Sequence, residues 1–414
     1  MNKILDISHI KEQITRLPQL VFEVTDACNL KCKYCGYGEF YNDHDERTNQ
    51  FFTVKRALVL LDYLKELWLS GFNTSQSQQV YISFYGGEPL MNMKFVRQVV
   101  ENVEKLKIPN KTFAFSMTTN AMLLYKYMDY LAEKNFRLLI SLDGTKKNHS
   151  YRVDHSNKNS FNRVFRNIRM LQKKDPSYFE QYVNINAVLH NRNSVAEIYH
   201  FIKNEFGKKP RIAELNGSGI KQSQKELFML TYRNKYENLH QSEHYEAIQE
   251  DMFYDAPDTQ SLGIYLQQFS GNVYQTYNDL LFNSDYKMKY PTGTCLPFSK
   301  KMFVTVNGKI LPCERIGHQF ALGHVTDTEV ILDFEQIADR YNFWFNMLAP
   351  QCSRCYNTKA CIQCIFNLEG IEQKPVCKGF MNSAAFKQYQ NAQMEYLATN
   401  PHLYEKIMKE VIIR

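Results

Sequence analysis

The sequence lacks cysteine over most of its length. None of its ten cysteines lies in the 259 residues between Cys35 and Cys295; three precede that gap and seven lie between residues 295 and 377. A disulfide framework would not separate its cysteines in this way, and a reducing compartment disfavours disulfides altogether. Metal ligation by two groups of thiols accounts better for this distribution.

Long apolar runs and long runs of one charge are also missing. No stretch of about 18 apolar residues occurs, so the sequence predicts no transmembrane helix. Residues 1–11 are interrupted by charges and lack the apolar core of a signal peptide. The net charge of +7 is dispersed, which argues against a nucleic-acid-binding stripe. With 44% hydrophobic and 22% charged residues, we expect a cytoplasmic globular protein with neither membrane nor nucleic acid as partner.

Three cysteines near the start of the chain form a compact motif. Cys28, Cys32 and Cys35 follow the apolar run 19–24, which is typical of a buried strand. Three thiolates can hold a [4Fe–4S] cluster and leave its fourth iron open to a small molecule. The alternatives are a structural zinc loop, although zinc sites usually use paired C-x2-C motifs, and three unrelated core thiols.

Strand and helix patterns alternate six times over about 200 residues. This alternation indicates an α/β fold of parallel strands with right-handed crossovers, open on one side because the segment is too short for eight units. Each predicted strand ends in polar or glycine residues, as a ligand site at the carboxyl ends of strands requires. The predicted strands are 19–24, 80–85, 112–117, 136–142, 182–189 and 211–215, and the predicted helices are 53–69, 94–105, 122–133, 161–173 and 195–206.

The first motif, with aromatic Tyr34 before its third cysteine, resembles the signature of the radical S-adenosylmethionine (SAM) superfamily. The run 86–89, Gly-Gly-Glu-Pro, resembles a second segment of that family. The resemblance implies a partial (β/α)6 TIM-like barrel and a [4Fe–4S] cluster that binds SAM. Cys28, Cys32 and Cys35 are its implied ligands.

The same resemblance implies a set of cofactor contacts. Gly86 and Gly87 are expected to approach the methionine amine, Ser141 and Asp143 the ribose hydroxyls, and Arg152 the carboxylate. Alternatives stay open: Glu88 as a structural carboxylate that fixes the loop, Asn120 as an Asx turn, Arg152 as a surface residue, and His149 as a capping or surface residue. The complete set is Tyr34, Gly86, Gly87, Glu88, Asn120, Ser141, Asp143 and Arg152.

The second group of cysteines brackets a predicted hairpin with an Asn307-Gly308 turn. It resembles the SPASM extension of peptide-modifying radical SAM enzymes, which carries two auxiliary iron–sulfur clusters. When the ligands of that extension are carried over in order, the resemblance implies that the outer cluster is bound by Cys352, Cys355, Cys361 and Cys377. It implies that the inner cluster is bound by Cys295, Cys313 and Cys364.

This second group departs from the family in two ways. Cys361 and Cys364 are spaced C-x2-C instead of C-x3-C, and residues 296–301 contain no thiol. One inner iron is therefore expected to bind a substrate group, Glu314 or His318. The alternative for the region is a pair of zinc-ribbon knuckles.

Four domains follow from these patterns. They are a radical SAM partial barrel at 1–218, a helical connector at 219–290, a SPASM auxiliary-cluster domain at 291–384, and a C-terminal helix at 385–414.

The resemblance implies reductive cleavage of SAM to a 5′-deoxyadenosyl radical that abstracts hydrogen from a ribosomally made precursor peptide. The expected product is a side-chain cross-link: a thioether, carbon–carbon or carbon–oxygen bond. The alternative is a formylglycine-forming anaerobic sulfatase-maturating enzyme. Glu314, directly after Cys313, is the candidate proton acceptor in either case. An epimerase ranks third because every cysteine has an assigned ligand role. A non-catalytic iron–sulfur electron-transfer or scaffold protein is the alternative from another class.

The expected partners are the precursor peptide and a one-electron donor such as flavodoxin or ferredoxin. Only 27 residues precede Cys28, fewer than the roughly 80 that a fused winged-helix leader-binding domain needs. Leader recognition is therefore assigned to the connector, the barrel rim or a separate leader-recognition protein.

Overall fold

The protein was analysed as a computed structural model that describes residues 4–73, 78–269, 281, 293–368, 370–371 and 373–411. It divides into two compact units. The barrel unit comprises Ile7–Glu243 and Leu296–Ile337. The C-terminal unit comprises Met1–Asp6, His244–Cys295 and Ala338–Arg414. These divisions differ from the predicted domain boundaries, which stay predictions.

The barrel unit is built on one open sheet of ten strands in the order β10-β9-β8-β7-β1-β2-β3-β4-β5-β6. Neighbours from β1 to β6 are all parallel, as the alternation predicted. β1 is almost entirely buried, as expected for a parallel strand covered on both faces. The strands are β1 Gln19–Thr25, β2 Gln78–Gly86, β3 Lys111–Thr119, β4 Arg137–Ser141, β5 Val183–Val188, β6 Arg211–Ala213, β7 Met302–Val304, β8 Lys309–Leu311, β9 Gly323–Val325 and β10 Val330–Ile331.

Helices follow the parallel strands and direct apolar faces at the sheet. Polar side chains begin several of them: Thr53 and Ser194 accept the backbone N–H groups of Arg56 and Glu197. The helices of this unit are α1 Ile7–Thr15, α2 Val54–Leu69, α3 Met93–Glu104, α4 Met128–Glu133, α5 Phe161–Lys174, α6 Pro176–Tyr182, α7 Val195–Phe206, α8 Lys225–Thr231 and α9 Lys235–His240.

Two of the helices between β1 and β6 differ from the prediction. The helix predicted at 122–133 is the short helix α4 preceded by a 3-10 turn. α6 was not predicted; it begins where Asp175 accepts the backbone N–H of Tyr178 at 2.9 Å and Pro176 occupies the first turn. Both differences are local and leave the order of the strands unchanged.

The predicted hairpin around Asn307 and Gly308 is confirmed as β7 and β8, which pair antiparallel. Gly308 has φ +89°, and a Cβ there would lie 2.3 Å from the Val325 carbonyl oxygen, so the turn requires glycine. β7 also pairs in parallel with β1, Leu20 opposite Met302. The hairpin therefore extends the sheet beyond its first strand, which the sequence patterns did not predict.

The C-terminal unit is helical in its described part. Its small core contains Leu262, Leu266, Leu403 and Ile407. The one or two helices predicted after residue 380 are two. The helices that lie wholly or mainly in this unit are α10 Tyr245–Met252, α11 Pro257–Phe269, α12 Phe334–Cys352, α13 Ser383–Thr399 and α14 His402–Glu410. Residues 270–280 and 282–290 of the predicted connector lie outside the described residues.

None of the helices in the described ranges combines the length and apolar character that a membrane crossing requires.

Candidate functional site

The three-cysteine motif forms a loop directly after β1, which we call the cysteine loop (residues 28–35). Its backbone pairs with the segment that follows β4: Lys31 N–H donates to the Val153 carbonyl at 2.8 Å and Lys33 N–H to the Tyr151 carbonyl at 3.1 Å. Cys35 N–H donates to the Cys32 carbonyl at 3.1 Å and closes a turn within the loop. The fold therefore fixes the course of this loop.

The thiols of the cysteine loop are partly buried and lie within electrostatic range of one another. Burial raises the pKa of Cys32 to about 12; Arg152 opposes the rise, and the sulfurs of Cys35 and Cys28 add to it. Burial likewise raises the pKa of Cys28 to about 11. Neighbouring thiols that resist ionisation become thiolates readily when a metal centre supplies positive charge. This donor set fits an iron–sulfur cluster.

Across the described ranges, no three His, Cys, Asp or Glu side chains form a group that could hold a metal ion. A cube of four irons differs from a single ion because each cysteine binds a different iron atom, so the sulfurs need not converge on one point.

Tyr34, Asp143 and Arg152 bond to one another. The Tyr34 hydroxyl and the Arg152 Nε–H, the latter at 3.0 Å, both donate to Asp143 Oδ2, while Val188 N–H donates to Oδ1 at 3.1 Å. Burial by itself raises the pKa of Asp143, but Arg152 and His190 outweigh it and hold that pKa well below its usual range. The predicted contacts of these three side chains with SAM stay predictions; in the structure their partners are protein groups.

Two buried histidines surround this carboxylate. His149 Nδ1 accepts the backbone N–H of Asp143 at 3.3 Å, and its Nε2 lies 3.1 Å from Ser160 Oγ. The expected surface position of His149 is wrong: it is fully buried, and burial lowers its pKa to about 3. His190, which the sequence analysis missed, packs against the rings of both Tyr34 and Tyr151. Its position just past the end of β5 was the available signal.

The two glycines at the end of β2 pack against the backbone that leads into the cysteine loop. A Cβ on Gly87 would lie 1.9 Å from the Ala27 carbonyl oxygen, and Gly86 has φ +121°. Gly87 N–H donates to the Thr25 carbonyl at 2.7 Å, and Glu88 N–H to that of Ala27 at 3.0 Å. Close approach of two backbones accounts for these glycines, and their contact with the methionine amine stays a prediction.

The contacts of Glu88 are those expected of a structural carboxylate that fixes the loop. Its fully buried carboxylate accepts Thr119 Oγ1 at 2.6 Å, Asn120 N–H at 2.8 Å and Leu90 N–H at 3.1 Å. Burial raises its pKa to about 7, against the effect of these hydrogen bonds. Glu88 thus joins the end of β3 to the loop that begins α3.

Asn120 links β3 to the cysteine loop. Its Nδ2 donates to Asn29 Oδ1 at 2.7 Å and lies 3.6 Å from Cys28 Sγ, while its Oδ1 accepts Met122 N–H at 2.9 Å as an Asx turn does. Ser141 is buried at the carboxyl end of β4, two residues before Asp143. Cofactor contacts of Asn120 and Ser141 stay predictions.

Glu314 lies shortly after β8, and its ion-pair partner Lys301 directly precedes β7. Lys301 Nζ lies 3.0 Å from Glu314 Oε1 and 2.9 Å from Oε2. Burial raises the pKa of Glu314, but Lys301 outweighs it and lowers that pKa, so the carboxylate is charged. Desolvation raises the pKa of Tyr85, at the end of β2, and the charges of Glu314 and Cys35 raise that pKa further. Glu314 therefore lies within electrostatic range of the surroundings of the cysteine loop.

Glu23 is a second carboxylate of this region, and the sequence analysis treated it only as part of a strand. Its Oε2 accepts the backbone N–H of Val306 at 2.8 Å, which ties β1 to the hairpin. Burial raises its pKa to about 7, while this hydrogen bond and Arg47 oppose the rise. A charged residue inside an otherwise buried strand was the signal that could have singled it out.

His318, the other predicted ligand of the open inner iron, is engaged with Asp45. Its Nδ1 accepts the backbone N–H of Asp45 at 3.0 Å and lies 3.4 Å from Asp45 Oδ2. Burial lowers the pKa of His318. A role for His318 as a ligand stays a prediction.

Four cysteines of the C-terminal unit come together. Burial raises the pKa of Cys352 to about 12, and the sulfurs of Cys377, Cys361 and Cys355 add to the rise. We call these four residues the C-terminal cysteine group. They are the set predicted for the outer cluster, and their mutual proximity fits a cluster with four thiolate ligands.

The cysteines predicted for the inner cluster are distributed differently. Cys364 lies within electrostatic range of Cys295, and both belong to the C-terminal unit. Cys313 belongs to the barrel unit, where Glu314 and Lys301 are its charged neighbours. The assignment of the three to one centre stays a prediction.

Comparison with known families is consistent with this site. The model of the Radical SAM superfamily matches residues 22–203, from β1 into α7. Residues 22–203 form a radical SAM domain. Proteins of this superfamily use a [4Fe–4S] cluster and SAM. The cysteine loop, the Gly-Gly-Glu segment and Asp143 all lie inside the matched range.

Curated relatives of the radical SAM domain have different activities. A cysteine-type anaerobic sulfatase-maturating enzyme of Clostridium novyi is 30% identical over 194 residues, which are 46% of this chain and 48% of that enzyme. The radical SAM cyclopropyl synthase TigE of Paramaledivibacter caminithermalis is 30% identical over 190 residues, covering 43% and 36%. A GTP 3′,8-cyclase of Clostridium botulinum is 30% identical over 179 residues, covering 42% and 48%. The chain thus spans half or less of the length of these relatives.

A solved structure extends the likeness in fold beyond the radical SAM domain. The structure described as native anSMEcpe with bound AdoMet and Cp18Cys peptide superposes with a TM-score of 0.59 at 19% identity. The superposition covers 94% of this chain and 98% of that one. At this identity the likeness concerns the fold.

Proposed function

We propose that this protein is a radical SAM peptide maturase that forms a side-chain cross-link in a ribosomally made precursor peptide. One arrangement carries the proposal: three mutually close thiols follow β1, and the half-buried Lys301–Glu314 ion pair lies close enough to Tyr85 to share that neighbour with Cys35. A radical-generating centre and a charged carboxylate are the two groups that such an oxidation needs.

Cys28, Cys32 and Cys35 would hold the cluster, and residues at the ends of β2 to β4 would line the SAM site. When bound, the cluster and SAM supply an electron and a carbon radical that removes one hydrogen atom from the peptide. The protein positions a single C–H bond and excludes water around it.

Glu314 is the proposed proton acceptor. A cross-link formed within the peptide removes two hydrogens: one leaves as a hydrogen atom to the deoxyadenosyl carbon, the other as a proton, and one electron departs. Lys301 keeps the Glu314 carboxylate ionised and therefore able to take that proton.

The departing electron needs an acceptor. We assign this role to auxiliary iron–sulfur clusters of a C-terminal SPASM domain. The C-terminal cysteine group would hold the outer cluster, and Cys295, Cys313 and Cys364 the inner one. A one-electron carrier such as flavodoxin or ferredoxin would exchange electrons with the enzyme. Leader recognition would fall to the connector, the barrel rim or a separate protein.

A formylglycine-forming sulfatase maturase is the second candidate. Glu314 directly follows Cys313, and the Clostridium novyi relative is a cysteine-type anaerobic sulfatase-maturating enzyme. The same carboxylate would then take a proton during oxidation of a cysteine or serine side chain to an aldehyde. The product therefore distinguishes the two candidates.

The test is anaerobic co-expression with a short peptide encoded by a neighbouring gene, followed by mass spectrometry. We expect a loss of two hydrogens per modification and no aldehyde; an aldehyde that reacts with a hydrazide reagent would favour the second candidate. Purified protein that contains zinc but hardly any iron, or that leaves SAM intact under strong reductant, would contradict both and favour a scaffold role.

The Glu314→Gln variant tests the proton acceptor. We expect peptide modification to fall by about 10²–10⁴-fold while SAM cleavage continues, because only the proton transfer is removed. Glu329→Gln, at an exposed position near β10, is the matched control and should keep full activity. Equal losses of SAM cleavage and product in Glu314→Gln would contradict the role.

A further inference from the structure

We infer that Asp143 is a positioning residue: together with Arg152 it holds the Tyr34 hydroxyl and thereby sets the orientation of the cysteine loop between Cys32 and Cys35. This inference rests on the proposed function. It assigns Tyr34, Asp143 and Arg152 to the protein framework of the cluster site instead of to direct contact with SAM.

Both carboxylate oxygens of Asp143 accept hydrogen bonds from protein donors. Oδ2 receives the Tyr34 hydroxyl and Arg152 Nε–H, and Oδ1 receives Val188 N–H. The side chain of Asp143 is completely buried. A carboxylate that is completely buried and hydrogen-bonded to the protein at both oxygens has no exposed face for a ribose hydroxyl to reach.

The backbone around Asp143 is equally constrained. Its N–H donates to His149 Nδ1 at 3.3 Å, and its carbonyl accepts Asn193 Nδ2–H at 3.4 Å. The acceptor for Tyr34 therefore sits on a part of the barrel that cannot shift without breaking contacts to both sides.

Arg152 restrains the Tyr34 ring as well as its hydroxyl. The Arg152 guanidinium carbon lies 5.4 Å from the centroid of the Tyr34 ring while Nε–H donates to Asp143. The segment that carries Arg152 is also the one that pairs with the cysteine loop, through Tyr151 and Val153. The loop is thus held by its backbone and by one side chain.

Tyr34 stands between Cys32 and Cys35, so rotation of this residue moves the two sulfurs on either side of it. Without the hydroxyl, the ring still fills its place in the core, but its direction is no longer fixed by a hydrogen bond to a charged group. The loop then samples several orientations, and only a fraction of molecules presents its thiols correctly for SAM.

The test compares Tyr34→Phe with Tyr151→Phe after anaerobic cluster reconstitution. Tyr151 belongs to the same hydrophobic cluster, and its hydroxyl donates to Asn191 Oδ1 at 2.9 Å instead of to Asp143. We expect both variants to fold and bind iron. Tyr34→Phe should bind SAM roughly ten-fold more weakly, because loss of a hydrogen bond to a charged group lowers the competent fraction by about that factor.

The readout besides affinity is the electron paramagnetic resonance spectrum of the reduced cluster. SAM should shift it cleanly in the parent and in Tyr151→Phe, and incompletely, with broadened lines, in Tyr34→Phe. Asp143→Asn, which keeps the size of the side chain, should reproduce the Tyr34→Phe spectrum.

Two outcomes would overturn the inference. If Tyr34→Phe and Tyr151→Phe bind SAM equally and give the same spectra, the positioning role is refuted while the proposed function stands. If SAM changes no spectrum even in the parent protein, both are refuted.

Discussion

The cysteine loop of the barrel unit and the C-terminal cysteine group each bring several thiols close together, but their surroundings differ. Next to the cysteines of the loop, Leu30 and Tyr34 are buried, and Tyr34 belongs to a hydrophobic cluster. Next to those of the C-terminal group, Tyr356, Ile362 and Val376 are exposed to 55%, 81% and 57%. The loop therefore packs against a core of its own, whereas the second group has exposed apolar neighbours; if it holds the proposed cluster, we expect it to depend more on that cluster for stability.

Removal of one cysteine from each region should separate SAM cleavage from peptide modification. We expect Cys32→Ala to reduce SAM cleavage by at least about 10³-fold, because it removes a proposed ligand of the radical-forming cluster. Cys361→Ala should leave SAM cleavage nearly intact and abolish peptide product. Chromatographic measurement of 5′-deoxyadenosine and mass spectrometry of the peptide check this. Equal loss of SAM cleavage in both variants would remove the functional distinction.

Close backbone packing beneath the cysteine loop should be sensitive to a single methyl group. Gly87→Ala places a Cβ 1.9 Å from the Ala27 carbonyl, so we expect a loss of more than about 4 kcal/mol of unfolding free energy, or failure to fold. Gly36→Ala, where no atom lies within 4 Å of the new Cβ, is the matched control. Denaturant unfolding of the metal-free proteins measures both; similar stabilities would refute the packing argument.

Removal of the metal should affect the two regions unequally. We expect chelation to lower amide hydrogen-exchange protection around residues 352–381 by about 10²-fold and that of residues 28–35 by less than about ten-fold. The difference arises because the loop keeps its hydrogen bonds to Tyr151 and Val153. Exchange followed by mass spectrometry gives both values, and equal loss of protection would show that the loop too depends on its metal.

A smaller expected effect concerns the pH dependence of the stability of the barrel unit. The pKa of Glu23 is raised to about 7 from 4.5, so between these values the native state holds a proton that the unfolded chain has lost. Stability should therefore fall as pH rises through this window, by on the order of 2 kcal/mol. Glu23→Gln should remove that fall. Thermal unfolding of parent and variant at pH 5 and pH 8 measures it, and parallel shifts would disprove the assignment.

The sequence patterns predicted the parallel core of the barrel because strand and helix periods alternate clearly from Gln19 to Ala213. They did not predict β9 and β10, which contain three and two residues and carry little periodic signal. They also missed the pairing of β7 with β1, because local patterns do not reveal partners so distant in the chain.

The cysteines of the candidate site were recognisable from spacing alone. The roles of His149, His190 and Glu23 were not, because each acquires its partners from separate segments of the chain. Burial of a histidine beside Asp143 can be seen only once β4, β5 and the cysteine loop are assembled.

The parallel pairing of β1 with β7 has a consequence for biosynthesis. Leu20 can pair with Met302 only after roughly 280 further residues have been synthesised, and contacts of such long range slow folding. On the ribosome, the outer edge of the first strand is left open until most of the chain has emerged, and open strand edges invite aggregation. We expect the nascent chain to need chaperone protection over this interval.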